Sequence, residues 1–281
     1  NAVVWKPSEK VPTAALEFAR LWKEAGLPDG VFNVVQGDKE MVDGILEHAG
    51  IAGVSFVGST SVGEYVYQKG TSHNKRVAAF TGGKNHMVVM PDADLDAAAS
   101  AFVAAGFGSA SQRCMAVSLL LPVGQATADR LRELVIEKTK ALKVGPYNDP
   151  QADFGAVVSA QSKQAVLQAI ENCIKDGGEL LLDGRDLQVP GHANGYYVGP
   201  TLFDRVTTDM QMYKEEIFGP VRAIMRPMTL DEAIAITNAH DFGNGSVIYT
   251  RDGKSAHRFM TEVESGMIWV NVSVTLPDAY F

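Results

Sequence analysis

VSFVGSTSVG, residues 54–63, is the stretch on which the fold turns. The apolar run Val54 to Val57 reads as a strand, the glycines and hydroxyls after it as a turn, and the residues beyond as the start of a helix. Upstream the rhythm is the same. Val3 to Trp5 is a candidate strand, and Pro12 suits the first turn of a helix through Thr13 to Ala25, with Gly26 placed to end it. Val31 to Val35 is a second strand and Glu40 to His48 a second helix. This βαβαβ order predicts a parallel sheet covered by helices, because parallel strands need a crossover between them.

Downstream, apolar Met87 to Met90 precedes Pro91 and an Ala-rich helix from Leu95 to Ala105. Small residues, Gly106 to Ser111, lead to a strand at Val117 to Leu121. Ala126 to Lys140 and Gln161 to Lys175 have helical spacing of apolar residues; strands are expected near Val198, at Val221 to Met225 and at Ser246 to Tyr249. The whole is α/β, with a domain boundary expected at Gly82-Gly83, so that residues 1–83 and 84–281 form separate domains.

Composition narrows the function. The 281 residues are 46% hydrophobic and 21% charged, ordinary for a chain with a sizeable core. The 25 Lys and Arg against 33 Asp and Glu, a formal charge of -8, argue against a nucleic-acid or anionic-membrane binder. No apolar run is long enough to span a bilayer. Two cysteines, Cys114 and Cys173, make no disulfide framework and point to a reducing compartment. The chain opens on Asn1 and a strand, not on a leader peptide, so it reads as starting inside a domain, with any targeting segment lying before it.

Several residues could carry chemistry, each beside a plainer alternative. Gly58 to Gly63 can hold a phosphate at a helix start, but Glu64 stands where a P-loop has lysine, and for this stretch alone a hydroxyl-capped turn is preferred. Lys6 and Glu9 follow the first strand, at the carboxyl end where α/β sheets take ligands; taken alone, they are preferred as solvated loop charges. Cys173 shares a helix face with Val166 and Ile170 and reads as core. Cys114 lies among small residues beside Arg113, whose guanidinium favours a thiolate, and is open to either reading. Neither His73 nor His86 is identified by spacing as its base. Glu215-Glu216 before Phe218-Gly219-Pro220, and the turn-rich Asn238 to Gly245, stand out as segments, though taken alone they are preferred as a charged helix end and a loop. No Cys and His grouping has zinc spacing, so no metal is expected.

Taken together, KPSE at 6–9, PDGVFNVVQG at 28–37, FVGSTSVG at 56–63, GGKNHMVVMPDADLD at 82–96, GSASQRCMAVS at 108–118, KEEIFGPV at 214–221, FGNGSVIYT at 242–250 and WVNV at 269–272 resemble the aldehyde dehydrogenase superfamily. KNH at 84–86 and QRCMA at 112–116 resemble its CoA-acylating, methylmalonate-semialdehyde branch. The resemblance implies part of a Rossmann-like NAD domain followed by an α/β catalytic thiol domain. It implies Cys114 as nucleophile, Lys6 and Glu9 on the adenine-side ribose of NAD, Ser59 on the pyrophosphate, and Glu216 with Phe218 at the nicotinamide end. Arg113 would take a substrate carboxylate, with a structural ion pair as its alternative. CoA would be the co-substrate and the full-length protein a homotetramer or dimer, in bacterial cytoplasm or a mitochondrial matrix.

Departures from the pattern sharpen these expectations. Hydrolytic members have a glutamate in a Glu-Leu-Gly-Gly-Lys stretch that activates water against the thioester; here the stretch is Phe80-Thr81-Gly82-Gly83-Lys84, with no base. The thioester should therefore wait for a thiol such as CoA. Ser111 stands where the branch usually has glycine, and the ending from Val274 to Phe281 follows it loosely. A family chain also has a long portion ahead of Asn1, with an alkoxide-holding asparagine, and oligomerisation segments, none of which has a counterpart here. Three alternatives remain: a hydrolytic aldehyde dehydrogenase recruiting another base, a non-catalytic cofactor-binding or assembly subunit, and a thiol acyltransferase without redox chemistry.

Overall fold

The computed structural model describes residues 1–274; the loosely matching Thr275 to Phe281 fall outside the described residues. Two compact units divide the chain, Asn1–Gly82 and Gly83–Phe281.

In the first unit the strands pair in parallel, as the alternation with helices requires. β1 (Val3–Trp5) pairs with β2 (Phe32–Val34), and β3 (Gly53–Val57) with β4 (Arg76–Phe80). These are separate two-stranded ladders among the described residues. Three helices lie between the strands: α1 (Pro12–Glu24), α2 (Lys39–Glu47) and α3 (Thr60–Ser72). Pro12 occupies the first turn of α1, where its missing N–H costs nothing, and the Asp38 side chain caps α2 by accepting from Glu40 N. α3 packs against β4 closely: a Cβ on Gly63 would stand 2.2 Å from the Thr81 methyl, so glycine is required there. β4 is absent from the sequence reading because its Ala78-Ala79 centre has little β character.

The second unit is built on β5 (Asn85–Val89), β6 (Val117–Pro122), β7 (Glu179–Leu182), β8 (Thr201–Asp204), β9 (Val221–Ile224), β10 (Gly245–Tyr249) and β11 (Met267–Val270). They form one sheet in the order β11-β10-β5-β6-β9-β8-β7, parallel except for the edge pair β7 and β8. The strand expected near Val198 begins at Thr201 instead. Six helices complete it: α4 (Leu95–Phe107), α5 (Gln125–Lys140), α6 (Ala160–Lys175), the short α7 (Gln211–Lys214), α8 (Leu230–Asn238) and α9 (Gly253–Glu262).

Alternation along the strands feeds two separate cores. Met87 and Val89 of β5 join Phe102, Val103, Leu131 and Val135 of α4 and α5. Val88 joins Val166 and Ile170 of α6, Ile234 of α8 and Phe259 of α9. Covered on both faces, the central strands read as continuous apolar runs. Cys173 is completely buried in the second core, and burial pushes its thiol up to about 12, so it is a packing residue.

Candidate active site

The residues implied for the cofactor in the first unit follow strand ends. Lys6 leaves β1, and its Nζ donates to Gly37 O at 2.8 Å and to Glu9 Oε2 at 3.5 Å. A backbone hydrogen bond and Lys6 hold the exposed Glu9 carboxyl below its ordinary value, so it is an ionised acceptor at neutral pH. Ser59 follows β3 and is the N-cap residue of α3, yet its hydroxyl makes no capping bond. The hydroxyl and the open N–H groups of the first turn together suit a phosphate oxygen. Thr60 takes up a structural bond instead, its Oγ1 accepting from Gly82 N at 3.3 Å. Phe80, at the end of β4, and Thr81, packed on Gly63, place no carboxylate where a hydrolytic relative has its base.

In the second unit the parallel strands β5, β6, β9 and β10 present their amino ends together, and every candidate there precedes one of them. Cys114 is exposed, three residues before β6. The turn that delivers it is unusual. Ser109, Ala110 and Ser111 have φ of 56°, 51° and 61°, three consecutive left-handed residues bearing a Cβ. Each costs about 1–2 kcal/mol relative to ordinary backbone. Ser111, the departure from glycine, therefore carries strain that glycine would not, and its buried hydroxyl bonds Gly106 O in return.

What holds this turn is a set of amides. Asn85, the first residue of β5, donates from Nδ2 to Cys114 O and Ala116 O, each at 2.8 Å. Asn244, immediately before β10, donates from its own Nδ2 to the same Cys114 O at 2.8 Å. Gln112 braces the turn sideways, its Nε2 reaching Phe218 O at 3.2 Å and its Oε1 accepting from Val158 N at 2.9 Å. Arg113 is exposed and donates from Nη2 to Ala104 O and Ala105 O, at 3.1 and 3.0 Å, capping the last turn of α4. It makes no ion pair among the described residues, and its Nη1 has no protein partner among them.

Glu216 and Phe218 precede β9. Burial raises the Glu216 carboxyl above its ordinary value, opposed by the Gly83 backbone and by Lys84 and Arg222. Lys84 is fully buried, donates to Glu215 O at 2.7 Å, and is pushed down to about 7 by burial and by Arg222. It is tied to the backbone that carries Glu216. Arg222, buried on β9, donates to Gly106 O at 2.7 Å and so supports the start of the Cys114 turn from below. His86 points into a different cluster, with Tyr213 and His240 at ring distances of 6.1 and 5.5 Å, which removes it as a base for Cys114.

The structure thus gathers Cys114, Arg113, Glu216 and Phe218 at one end of the second sheet, and Lys6, Glu9 and Ser59 at strand ends of the first unit. Reading the sequence missed Asn85, Asn244, Lys84 and Arg222 as parts of the site. The available signal was polar residues at the threshold of apolar strands, KNH before MVVM and FGN before GSVIY.

Residues 1–280 match the aldehyde dehydrogenase family model, and the chain belongs to that family. Among curated relatives, a malonate-semialdehyde dehydrogenase of Pseudomonas aeruginosa is 49% identical over 100% of this chain and 56% of its own length. An acylating, mitochondrial methylmalonate-semialdehyde dehydrogenase of Arabidopsis thaliana is 45% identical, over 100% of this chain and 46% of its own. The solved methylmalonate-semialdehyde dehydrogenase of Oceanimonas doudoroffii superposes with a TM-score of 0.97 at 45% identity, covering 100% of this chain and 57% of that one. A Sinorhizobium meliloti structure assigned to the same enzyme and complexed with NAD gives 0.97 at 48% identity, covering 100% and 57%. The chain spans about half the length of the curated relatives it matches. No helix among the described residues is long and apolar enough to cross a membrane.

Proposed function

We propose that the protein containing this chain is an NAD-dependent, CoA-acylating dehydrogenase of malonate or methylmalonate semialdehyde. The observation that carries this reading is the pairing of an exposed, backbone-clamped Cys114 with a Phe80-Thr81 stretch that supplies no base. The names of the relatives agree with it.

Cys114 Sγ adds to the aldehyde carbon, giving a tetrahedral alkoxide bound through sulfur. Collapse of this alkoxide to a thioester needs a hydride acceptor, which NAD would supply when bound. Lys6 and Glu9 hold the adenine-side ribose, Ser59 the pyrophosphate, and Glu216 with Phe218 the nicotinamide end. The free Ser59 hydroxyl and the ionised Glu9 fit those parts of the molecule. Holding the thiol and aldehyde together supplies on the order of 7–11 kcal/mol of the barrier. Arg113 takes the substrate carboxylate through Nη1 while Nη2 stays on the α4 carbonyls.

The product on Cys114 is a thioester. With neither Phe80 nor Thr81 able to deprotonate water, the CoA thiolate attacks the acyl carbon and Cys114 leaves as thiolate. A carboxylate β to the thioester carbonyl departs as CO2, its electron pair forming the enolate that is then protonated. The full-length protein works as a homotetramer or dimer, in bacterial cytoplasm or, as the Arabidopsis relative's name suggests, in the mitochondrion.

Single-turnover product analysis tests the reading. With NAD and semialdehyde but no CoA, one equivalent of NADH forms and the acyl group stays on Cys114. Free acid released without CoA at the rate seen with it would establish hydrolytic chemistry instead. No NADH at all, with an unreactive Cys114, would favour a non-catalytic subunit.

A further inference from the structure

Cys114 O is the acceptor of two side-chain amides arriving from two different strands, Asn85 at the start of β5 and Asn244 just before β10, each at 2.8 Å. Both lone pairs of that carbonyl are thereby used. The carbonyl carbon is bonded to the Cα that bears the CH2–S group, so fixing the oxygen fixes the peptide plane and with it the direction of the Cα–Cβ bond from which Sγ hangs. The same Asn85 amide reaches Ala116 O at 2.8 Å, and Asn244 Nδ2 lies 3.3 Å from Met115 Sδ, so the residues after the nucleophile are gripped as well. Gly83 closes the remaining side: a Cβ there would stand 3.0 Å from Asn244 Nδ2 and 3.1 Å from Cys114 O.

Two features mark this arrangement as more than packing. Just ahead of it lie the three left-handed residues Ser109, Ala110 and Ser111, a backbone that relaxes unless it is held. And Asn85 Oδ1 is buried with no hydrogen-bond partner, a cost that an apolar side chain of the same shape would avoid. At Asn85 the cost of the unpaired oxygen is set against the two hydrogen bonds its nitrogen makes.

We propose that Asn85 and Asn244 are positioning residues that clamp the Cys114 carbonyl against relaxation of the left-handed turn and so set the place and direction of the Cα–Cβ bond that carries the nucleophilic sulfur. The inference rests on Cys114 being the nucleophile of the proposed reaction. Neither asparagine need touch aldehyde or cofactor; each acts through the Cys114 peptide.

The test uses the full-length protein with Asn244→Leu and Asn244→Asp, at a half-buried position of nearly constant shape, and Asn85→Leu as the buried counterpart. Two rates are read: single-turnover NADH formation, and alkylation of Cys114 by iodoacetamide, which needs neither NAD nor aldehyde. Asn244→Leu lowers the NADH burst rate about ten-fold, the worth of one hydrogen bond, with half-saturation by NAD and aldehyde little changed. Asn244→Asp sets an anion against the carbonyl and lowers the rate further at alkaline pH, by about a hundred-fold. As pH falls its carboxyl takes a proton, becomes a donor, and the deficit shrinks, a recovery that Asn244→Leu lacks. Alkylation rates depart from wild type in the same order. Burst and alkylation rates equal to wild type in both Asn244 variants, or an Asn244→Asp deficit that does not respond to pH, overturn the clamp. Should wild-type protein form no NADH, the proposed function fails, and the alkylation series still decides whether the asparagines position the sulfur.

Discussion

The two units present their candidate residues at opposite ends of their strands. In the first, Lys6 and Glu9 follow β1 and Ser59 follows β3, the carboxyl ends. In the second, Cys114, Glu216 and Asn244 precede β6, β9 and β10, the amino ends. The carboxyl end of a βα unit is where helix N-termini gather, and their open N–H groups favour anions. Ser59 heads α3 in that way, as a phosphate requires. A nucleophile needs something else: a rigid edge from which to hang a loop. At the amino end of the second sheet the neighbouring helix end is the C-terminus of α4, with its partial negative charge, and Arg113 offsets it by donating to Ala104 O and Ala105 O. On the proposed function, the same architecture serves electrostatic binding from one end and covalent chemistry from the other.

Packing divides the units in the same sense. Leu16, Phe18, Leu21, Trp22, Val57 and Phe80 of the first unit are all at least 44% exposed. The second sheet buries β5, β6 and β10 on both faces between two cores. Hydrogen exchange on the 281-residue chain should therefore show amides of β5 and β6 protected on the order of a thousand-fold or more beyond those of β1 and β2. Equal protection would mean the two units open together and would dissolve the contrast.

Acid should separate them next. In the first unit the half-buried Asp43 pairs with Lys39 and Lys69, whose hydrogen bonds hold its carboxyl well below its ordinary value at a side chain still partly open to solvent. The second unit holds His86 inside, pushed down to about 3 by burial, with His240 and Lys84 adding to the effect. Its unfolded value is near 6.5, so between those values the unfolded chain binds a proton the folded one does not. Stability from this group is complete above pH about 6.5 and is lost on acidification at up to about 1.4 kcal/mol per pH unit. His86 Nε2 also lacks a partner, so His86→Leu leaves neutral stability nearly intact. Urea titrations at neutral and mildly acid pH should show the variant losing less than wild type. Parallel losses would place the acid sensitivity elsewhere.

The sequence made the βα rhythm of the first unit readable because its strands are bounded by Pro and Gly, and it made Cys173 readable as core because Val166 and Ile170 share its face. β7, β11, α8 and α9 escaped it: short elements whose apolar residues are supplied with partners only by the completed sheet. Within the site, Cys114 stood out among small residues. The amides that hold it did not, since Asn85 and Cys114 are 29 residues apart and Asn244 is 130 residues further on. Nor could the sequence show that Arg113 caps α4, a bond that exists only once α4 ends beside the turn.

Strain offers the smallest and most local test of the contrast. Outside glycine, the first unit has one residue with positive φ, Asn74 at 59°, whose side chain tolerates that region. The second unit puts Ser109, exposed, at 56° in the turn before Cys114. Replacing each with glycine removes whatever the Cβ costs, less the extra freedom given to the unfolded chain. Ser109→Gly should gain about 0.5–1 kcal/mol in urea unfolding, and Asn74→Gly close to nothing. A gain at Asn74 as large as that at Ser109 would show that left-handed strain is no greater in the turn before Cys114 than at Asn74. No gain at Ser109 would mean the turn lies at its own minimum, and holding it would then need no clamp.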